Sequence, residues 1–337
     1  MKRVLLTGAS GFIGSQAVGL LVQRGFEVHA VSSRELPAAG GPGGRGGSDG
    51  PVCRSDFGPE PSVPAAGQSG VSWHRADLLV QDAAMALVER VQPTHLLHLA
   101  WYAEHGRFWT STENLCWVEA SLRLLRAFGE AGGERAVMAG TCAEYDWSVS
   151  GRYVEESSRL APRTLYGASK HALESVARAW CEQVGISFAW GRIFFLHGPG
   201  EHPERLVPSV ARAVLSGEPA PCSHGRQLRD FLYSADVAGA FAALLDSPVV
   251  GPVNIGSGEP VSVAEVVRLV AAAAGGPQLV RLGALAAREG EPAELVGDAA
   301  RLREQVGWTP RLTLSQGLER SVAWWRERRE PVGGRAG

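Results

Sequence analysis

Lysine is almost absent from this 337-residue chain: of its 33 lysines and arginines, only Lys2 and Lys170 are lysines. A solvated surface cation can be either residue. An internal ammonium kept in a chain that otherwise uses arginine therefore points to a site needing a compact point charge, not a planar guanidinium. Long apolar runs are absent too. None approaches the roughly 20 residues that cross a bilayer, and residues 1–22 already read as strand, turn and helix, so no membrane partner is expected. The five cysteines, Cys53, Cys116, Cys142, Cys181 and Cys222, show no Cys-x-x-Cys spacing. They read as free thiols in a reducing cytoplasm, which argues against a disulfide scaffold or a zinc site, and no metal is expected. A formal net charge of −2 gives no general attraction for nucleic acid.

Glycine, by contrast, is plentiful at 42 residues, and its first cluster has a specific setting. Lys2–Thr7 reads as a buried strand, Gly8-Ala-Ser10-Gly11-Phe12-Ile13-Gly14 follows directly, and a helix runs from there to about Arg24. Between a strand and a helix, Gly8 permits a tight turn, Gly11 lets a pyrophosphate approach the backbone, and Gly14 lets the helix pack close. The helix N-terminus offers free N–H groups to the phosphates, with Ser10, Phe12 and Ile13 completing the cofactor-contacting turn. Further strands are expected at Phe26–Ser32, Val71–Arg75, Thr94–Ala100 and Arg135–Gly140, and helices at Leu78–Val91, Leu115–Gly129 and Leu165–Val184. This alternation predicts an α/β fold with a Rossmann-type doubly wound parallel sheet over residues 1–190. Residues 37–70, dense in Gly, Pro, Ser and Ala, read as a flexible insertion. Residues 191–337 mix short elements and are expected to form mainly a smaller substrate-binding lobe, with chain returning to the sheet.

Tyr166-Gly-Ala-Ser-Lys170 explains the retained lysine. Four residues apart on a helix, the phenol and the ammonium share one face. A neighbouring cation favours phenolate and draws a tyrosine pKa down from about 10. Tyr166 is thus the candidate acid or base and Lys170 its tuner.

Together the strand, the Gly-x-x-Gly-x-x-Gly turn and Tyr-x-x-x-Lys resemble the extended short-chain dehydrogenase/reductase superfamily. Within it the chain is similar to the nucleotide-sugar epimerase, dehydratase and reductase branch. Thr141-Cys-Ala-Glu-Tyr145, Gln227-Leu-Arg-Asp-Phe231 with Asp236-Val-Ala, Asn254-Ile-Gly-Ser-Gly and Val306-Gly-Trp-Thr-Pro310 resemble further landmarks in order, so the resemblance runs from Lys2 to about Trp308. It implies that Thr141 holds the substrate oxygen, Lys170 binds the nicotinamide ribose and Arg229 contacts a nucleotide diphosphate. It places Asp77, with Leu78, near adenine, and Leu99 and Ala100 near the nicotinamide. Helices Leu115–Gly129 and Leu165–Val184 are those the family pairs across a homodimer interface.

Departures from that pattern refine the expectation. The second strand ends in Ser32-Ser33-Arg34, with no carboxylate before Glu35. Two hydroxyls and a guanidinium suit a ribose 2′-phosphate, so NADP(H) is preferred, with NAD(H) as the alternative. The family's sugar dehydratases carry Asp-Glu after this threonine, whereas Cys142-Ala143 stands here, so dehydration is not expected. What remains is NADPH-dependent reduction of a nucleotide-linked keto sugar of the 4-keto-6-deoxyhexose kind. An epimerase that retains its cofactor is one alternative; a non-catalytic dinucleotide sensor, which would typically have lost the Tyr and Lys, is another. Trp101, Cys142 and Arg205 complete the candidate substrate-binding set, and His98 and His197 read as structural.

Overall fold

The computed structural model describes residues 2–34, 70–287 and 290–328. Its centre is a seven-stranded, all-parallel sheet built from β1 (Arg3–Thr7), β2 (Glu27–Ser32), β3 (Val71–Arg75), β4 (His95–His98), β5 (Arg135–Thr141), β7 (Ser187–Ile193) and β12 (Gly251–Ile255), in the order β12-β7-β5-β4-β1-β2-β3. The pleat sends alternate side chains to opposite faces. Val4 and Leu6 enter the core under α1 (Gly14–Gln23) and α6 (Ser234–Asp246), while Leu5 enters the core under α2 (Ala83–Val91), α3 (Glu113–Glu130) and α4 (Leu165–Val184). The strand order reverses between β1 and β4. Their C-terminal ends therefore diverge into the crevice where such sheets bind ligands.

The rest of the chain forms smaller layers. Four short strands, β6 (Gly151–Tyr153), β10 (Leu228–Arg229), β13 (Val261–Ser262) and β15 (Glu294–Gly297), make a second sheet. Two pairs, β8 (Phe195–His197) with β11 (Phe231–Tyr233) and β9 (Ala220–Cys222) with β14 (Val280–Leu282), add to it. Their apolar faces share a core with α5 (Leu206–Leu215), α7 (Val263–Ala274) and α9 (Leu314–Glu327), and α8 (Ala300–Glu304) buries Leu302 against the main core. Among the described residues no helix is long and apolar enough to cross a membrane.

The expected elements are present with ends within two residues of those expected, apart from one start that is corrected. The helix expected from Leu78 begins at Ala83. Asp77 Oδ1 accepts the Leu79 N–H at 3.0 Å and the Asp77 carbonyl accepts the Val80 N–H at 3.1 Å, which closes a turn ahead of the helix. The expected insertion at 37–70 lies, Gly70 apart, outside the described residues, as does Cys53.

Candidate active site

The glycine turn sits at the C-terminal end of β1. Gly8 has φ +70°, and a Cβ there would stand 2.8 Å from Ala100 N and 2.9 Å from the Leu99 carbonyl carbon. At Gly14 a Cβ would stand 2.0 Å from Gly8 O. Only glycine fits at either position, and the close approach carries Leu99 and Ala100 against the turn. Phe12 and Ile13 are half-buried beside exposed Gly11. Ser10 Oγ lies 2.9 Å from Ser32 Oγ, and Ser32 Oγ also accepts the Arg34 N–H at 3.1 Å. The end of β2 is thereby tied to the turn, with Ser33 and Arg34 exposed at the rim. Leu78 is buried and Asp77 is exposed.

Thr141, Tyr166 and Lys170 converge at the end of β5. Thr164 caps α4 by accepting the Gly167 N–H at 3.1 Å, which places Tyr166 in the first helical turn. There the Thr141 side chain stands near enough to the phenol to favour its charged form. Burial pushes the Tyr166 pKa above its ordinary value, while Thr141 and the charge of Arg205 pull it back. The lowered phenol expected from the sequence is therefore corrected: desolvation outweighs the neighbouring charges. Lys170 Nζ is turned to β5, donating to Ala139 O at 2.9 Å, with the Trp101 ring centroid 3.6 Å away. Burial lowers its pKa to about 7, and Glu144 opposes that shift.

Aromatic rings surround the phenol. Trp109 O accepts the Tyr166 N–H at 3.1 Å, and the Phe108 and Trp109 rings meet Tyr166 edge-on at 4.9 and 5.7 Å. Trp147 packs edge-on against Trp109 at 6.1 Å and donates to Cys142 O at 2.9 Å. No periodic pattern in the sequence marks these contacts, because they lie on loops whose placement depends on the sheet.

The expected substrate residues border this cluster. Trp101 Nε1 donates to Asn114 Oδ1 at 2.9 Å. Cys142 is buried, and desolvation pushes its thiol up to about 12, within the field of Arg229. Arg205 stands at the N-cap of α5, 3.6 Å from Glu201. Arg229 is 2 % exposed and donates to Leu228 O, Pro292 O and, at 2.6 Å, to Glu291 Oε1. A diphosphate at Arg229 would thus compete with Glu291 for the guanidinium. Asp230 beside it accepts from Ser257 N, Ser257 Oγ, Gly258 N and Gly297 N, and so fixes the turn after β12.

Two buried carboxylates, Glu144 and Glu201, escape a reading of the sequence. Glu144 pairs with Arg192 at 2.9 Å below Thr141. Glu201 has its pKa raised to about 8 by burial, and its Oε2 has no partner among the described residues. His98 bridges Thr7 Oγ1 at 2.7 Å and Ser121 Oγ at 2.8 Å, and burial holds its pKa down near 3, which makes it a neutral pin between β1, β4 and α3. His197 likewise meets Ser321 Oγ at 3.0 Å.

Relatives carry the same architecture. The profile of the NAD dependent epimerase/dehydratase family matches residues 4–256. The chain is 27% identical over 347 residues to a dTDP-glucose 4,6-dehydratase of Xanthomonas campestris pv. campestris, covering 96% of this chain and 93% of that protein. Among solved structures it is 28% identical to the Thermus thermophilus UDP-glucose 4-epimerase in complex with NAD, with a TM-score of 0.75 over 97% of this chain and 99% of the other. It is 27% identical to TunA, an NAD-dependent NDP-hexosamine 5,6-dehydratase involved in tunicamycin biosynthesis, with a TM-score of 0.77 over 98% of this chain and 99% of the other. With the glycine turn, the Tyr-x-x-x-Lys pair and the sheet all in place, the chain is an enzyme of the NAD-dependent nucleotide-sugar epimerase/dehydratase family.

Proposed function

We propose that the protein is an NADPH-dependent ketoreductase acting on a nucleotide-linked 4-keto-6-deoxyhexose. The observation that carries the reading is the Thr141–Tyr166 pair brought together at the end of β5, followed by a segment that offers no free carboxylic acid. Cys142 remains a thiol and Ala143 has no ionisable group. Glu144 is committed to Arg192, Trp190 and the Thr141 backbone. The acid and base that elimination of water needs are thus missing from this segment, and a hydroxyl pair suited to a carbonyl remains.

The residues present fit a dinucleotide: Gly8 and Gly14 pack backbone against backbone with no room for a Cβ, and the turn they fix leaves exposed Gly11 open at the start of α1. The glycine turn, Ser33, Arg34, Leu99, Ala100 and Lys170 would hold it, and when bound it supplies the hydride. Thr141 orients the substrate oxygen. The Tyr166 O–H gives its proton to the alkoxide as it develops, completing reduction of the ketone to a secondary alcohol. A phenol whose pKa is raised keeps that proton until the alkoxide forms. Arg34 and the lack of a carboxylate at the described end of β2 support the preference for a 2′-phosphate. Arg205 and Arg229 would face the diphosphate, with Trp101 and Cys142 beside the sugar.

Epimerisation is the second reading, favoured by the NAD-bound epimerase among the structural relatives. We also read the protein as a cytoplasmic homodimer, because Leu115 on α3 and Val176 on α4 are 56% and 51% exposed on the two helices the resemblance assigns to the interface. Nicotinamide absorbance is followed with the keto sugar and NADPH, and with NADH in parallel. Stoichiometric NADPH oxidation is expected. No oxidation, together with NAD carried through purification, would replace the reductase by the epimerase.

A further inference from the structure

A buried carboxylate stands under the catalytic groups without touching the space above them. Glu144 is 0% exposed. Its Oε1 accepts the Thr141 N–H at 2.8 Å and the Trp190 Nε1–H at 3.0 Å, and its Oε2 accepts the Arg192 Nε–H at 2.9 Å. Burial raises the Glu144 pKa, and Arg192, the Thr141 N–H and Trp190 oppose that shift; each of these partners is a donor, so a protonated Glu144 would lack an acceptor for its own O–H and the carboxylate form is the one that fits. Arg192 is itself 1% exposed and is held by the Tyr145 hydroxyl at 3.2 Å and by Glu155 O at 3.2 Å. The network reaches α4 as well. Lys170 Nζ bonds Ala139 O on β5 and lies 5.9 Å from the Trp190 ring whose N–H Glu144 holds.

We propose that Glu144 is a positioning residue for the catalytic trio, fixing Thr141 through its backbone N–H and serving as counter-ion to the Lys170 ammonium. The capping box at Thr141 supports the first half: the Thr141 hydroxyl accepts the Ala143 N–H at 3.2 Å while Glu144 binds the Thr141 N–H, which locks the segment that presents the hydroxyl. The charges around the lysine support the second. Glu144 is the group that holds Lys170 towards its charged form, against burial. Of the other groups in reach, His98 on β4 is neutral, Cys142 and Tyr166 stay protonated, and Arg192 on β7 carries charge of the same sign as the lysine.

The role rests on the trio being the reactive group proposed above, so its test is chosen to read without turnover. The chain has two lysines, so protein carrying 13C at the lysine ε carbons gives two side-chain resonances, and Lys2→Arg assigns them. Lys170 should titrate near 7 in the wild type. In Glu144→Gln its midpoint should fall by about one pH unit or more, and Glu144→Asp should restore it. The alkaline limb of kcat/KM should move to lower pH with it, which a merely structural role would not do. If Glu144→Gln does not fold because Arg192 is left unpaired, the double variant Glu144→Gln/Arg192→Met removes both charges and should show a smaller fall, because the like charge of Arg192 is lost as well. An unchanged Lys170 midpoint in a folded variant overturns the proposal and leaves the ketoreductase reading standing. Absence of NADPH oxidation by the wild type overturns that reading and leaves the lysine titration to decide this one.

Discussion

Replacing Lys170 by methionine should abolish turnover and yet stabilise the protein. Lys170 is 3% exposed, and its pKa is about 7 in the fold against 10.5 for the ordinary side chain. At about 1.4 kcal/mol per pH unit, holding that charge in the interior costs roughly 5 kcal/mol. Between pH 7 and 10.5 the unfolded chain binds the proton that the folded chain has released, so this lysine makes stability rise with pH through that window. Below pH 7 both states are protonated and the full penalty applies. Methionine fills similar volume without the charge; it forfeits the bond to Ala139 O, worth about 1 kcal/mol. Urea unfolding of the two proteins at several pH values from about 6 to 10 isolates the effect, because all other titrations cancel in the difference. The Lys170→Met variant should be the more stable protein at about pH 6, by several kcal/mol, and the gap should close by about 1.4 kcal/mol per pH unit above 7. A variant less stable under those acidic conditions, or a gap independent of pH, would refute the burial argument.

Other substitutions probe other parts of the account. Tyr166→Phe should lower kcat by about 10²–10⁴-fold while leaving NADPH binding intact, since the ring still packs on Phe108 and Trp109; equal losses in both, read by fluorescence titration and steady-state rates, would contradict the acid role. Gly14→Ala places a methyl 2.0 Å from Gly8 O, so calorimetry should show cofactor binding lost with the fold retained by circular dichroism. Arg34→Ala should raise KM for NADPH by about tenfold or more, from loss of a charge-assisted bond, and leave KM for NADH unchanged. Leu115→Glu with Val176→Glu should give a monomeric mass by light scattering where the unsubstituted chain gives a dimer.

The legible parts of the sequence are those whose chemistry is local. Gly8 to Gly14 follows one strand and opens one helix, so its roles can be assigned from adjacency. Tyr166 and Lys170 share a helix, so spacing alone brings them together. The Glu144–Arg192 pair is not legible, because it spans 48 positions and exists only through the β5–β7 register that sets Gly140 beside Arg192. The same holds for Arg229, whose pairing with Glu291 comes from a lobe of two- and three-residue strands too short to show a period. Sequence does not fix the start of α2, because the turn ahead of Ala83 depends on Asp77 accepting the Leu79 N–H, which residue spacing does not show.

The central claim is that Tyr166, Thr141 and Lys170 carry out a net reduction. The most direct test is mass spectrometry of the sugar product after incubation with the keto sugar and NADPH deuterated at the transferring position of the nicotinamide. The account predicts one deuterium retained on the new carbinol carbon for each NADPH oxidised. Product formed without deuterium, and without net consumption of NADPH, would contradict it and identify an epimerase that returns its hydride within each turnover.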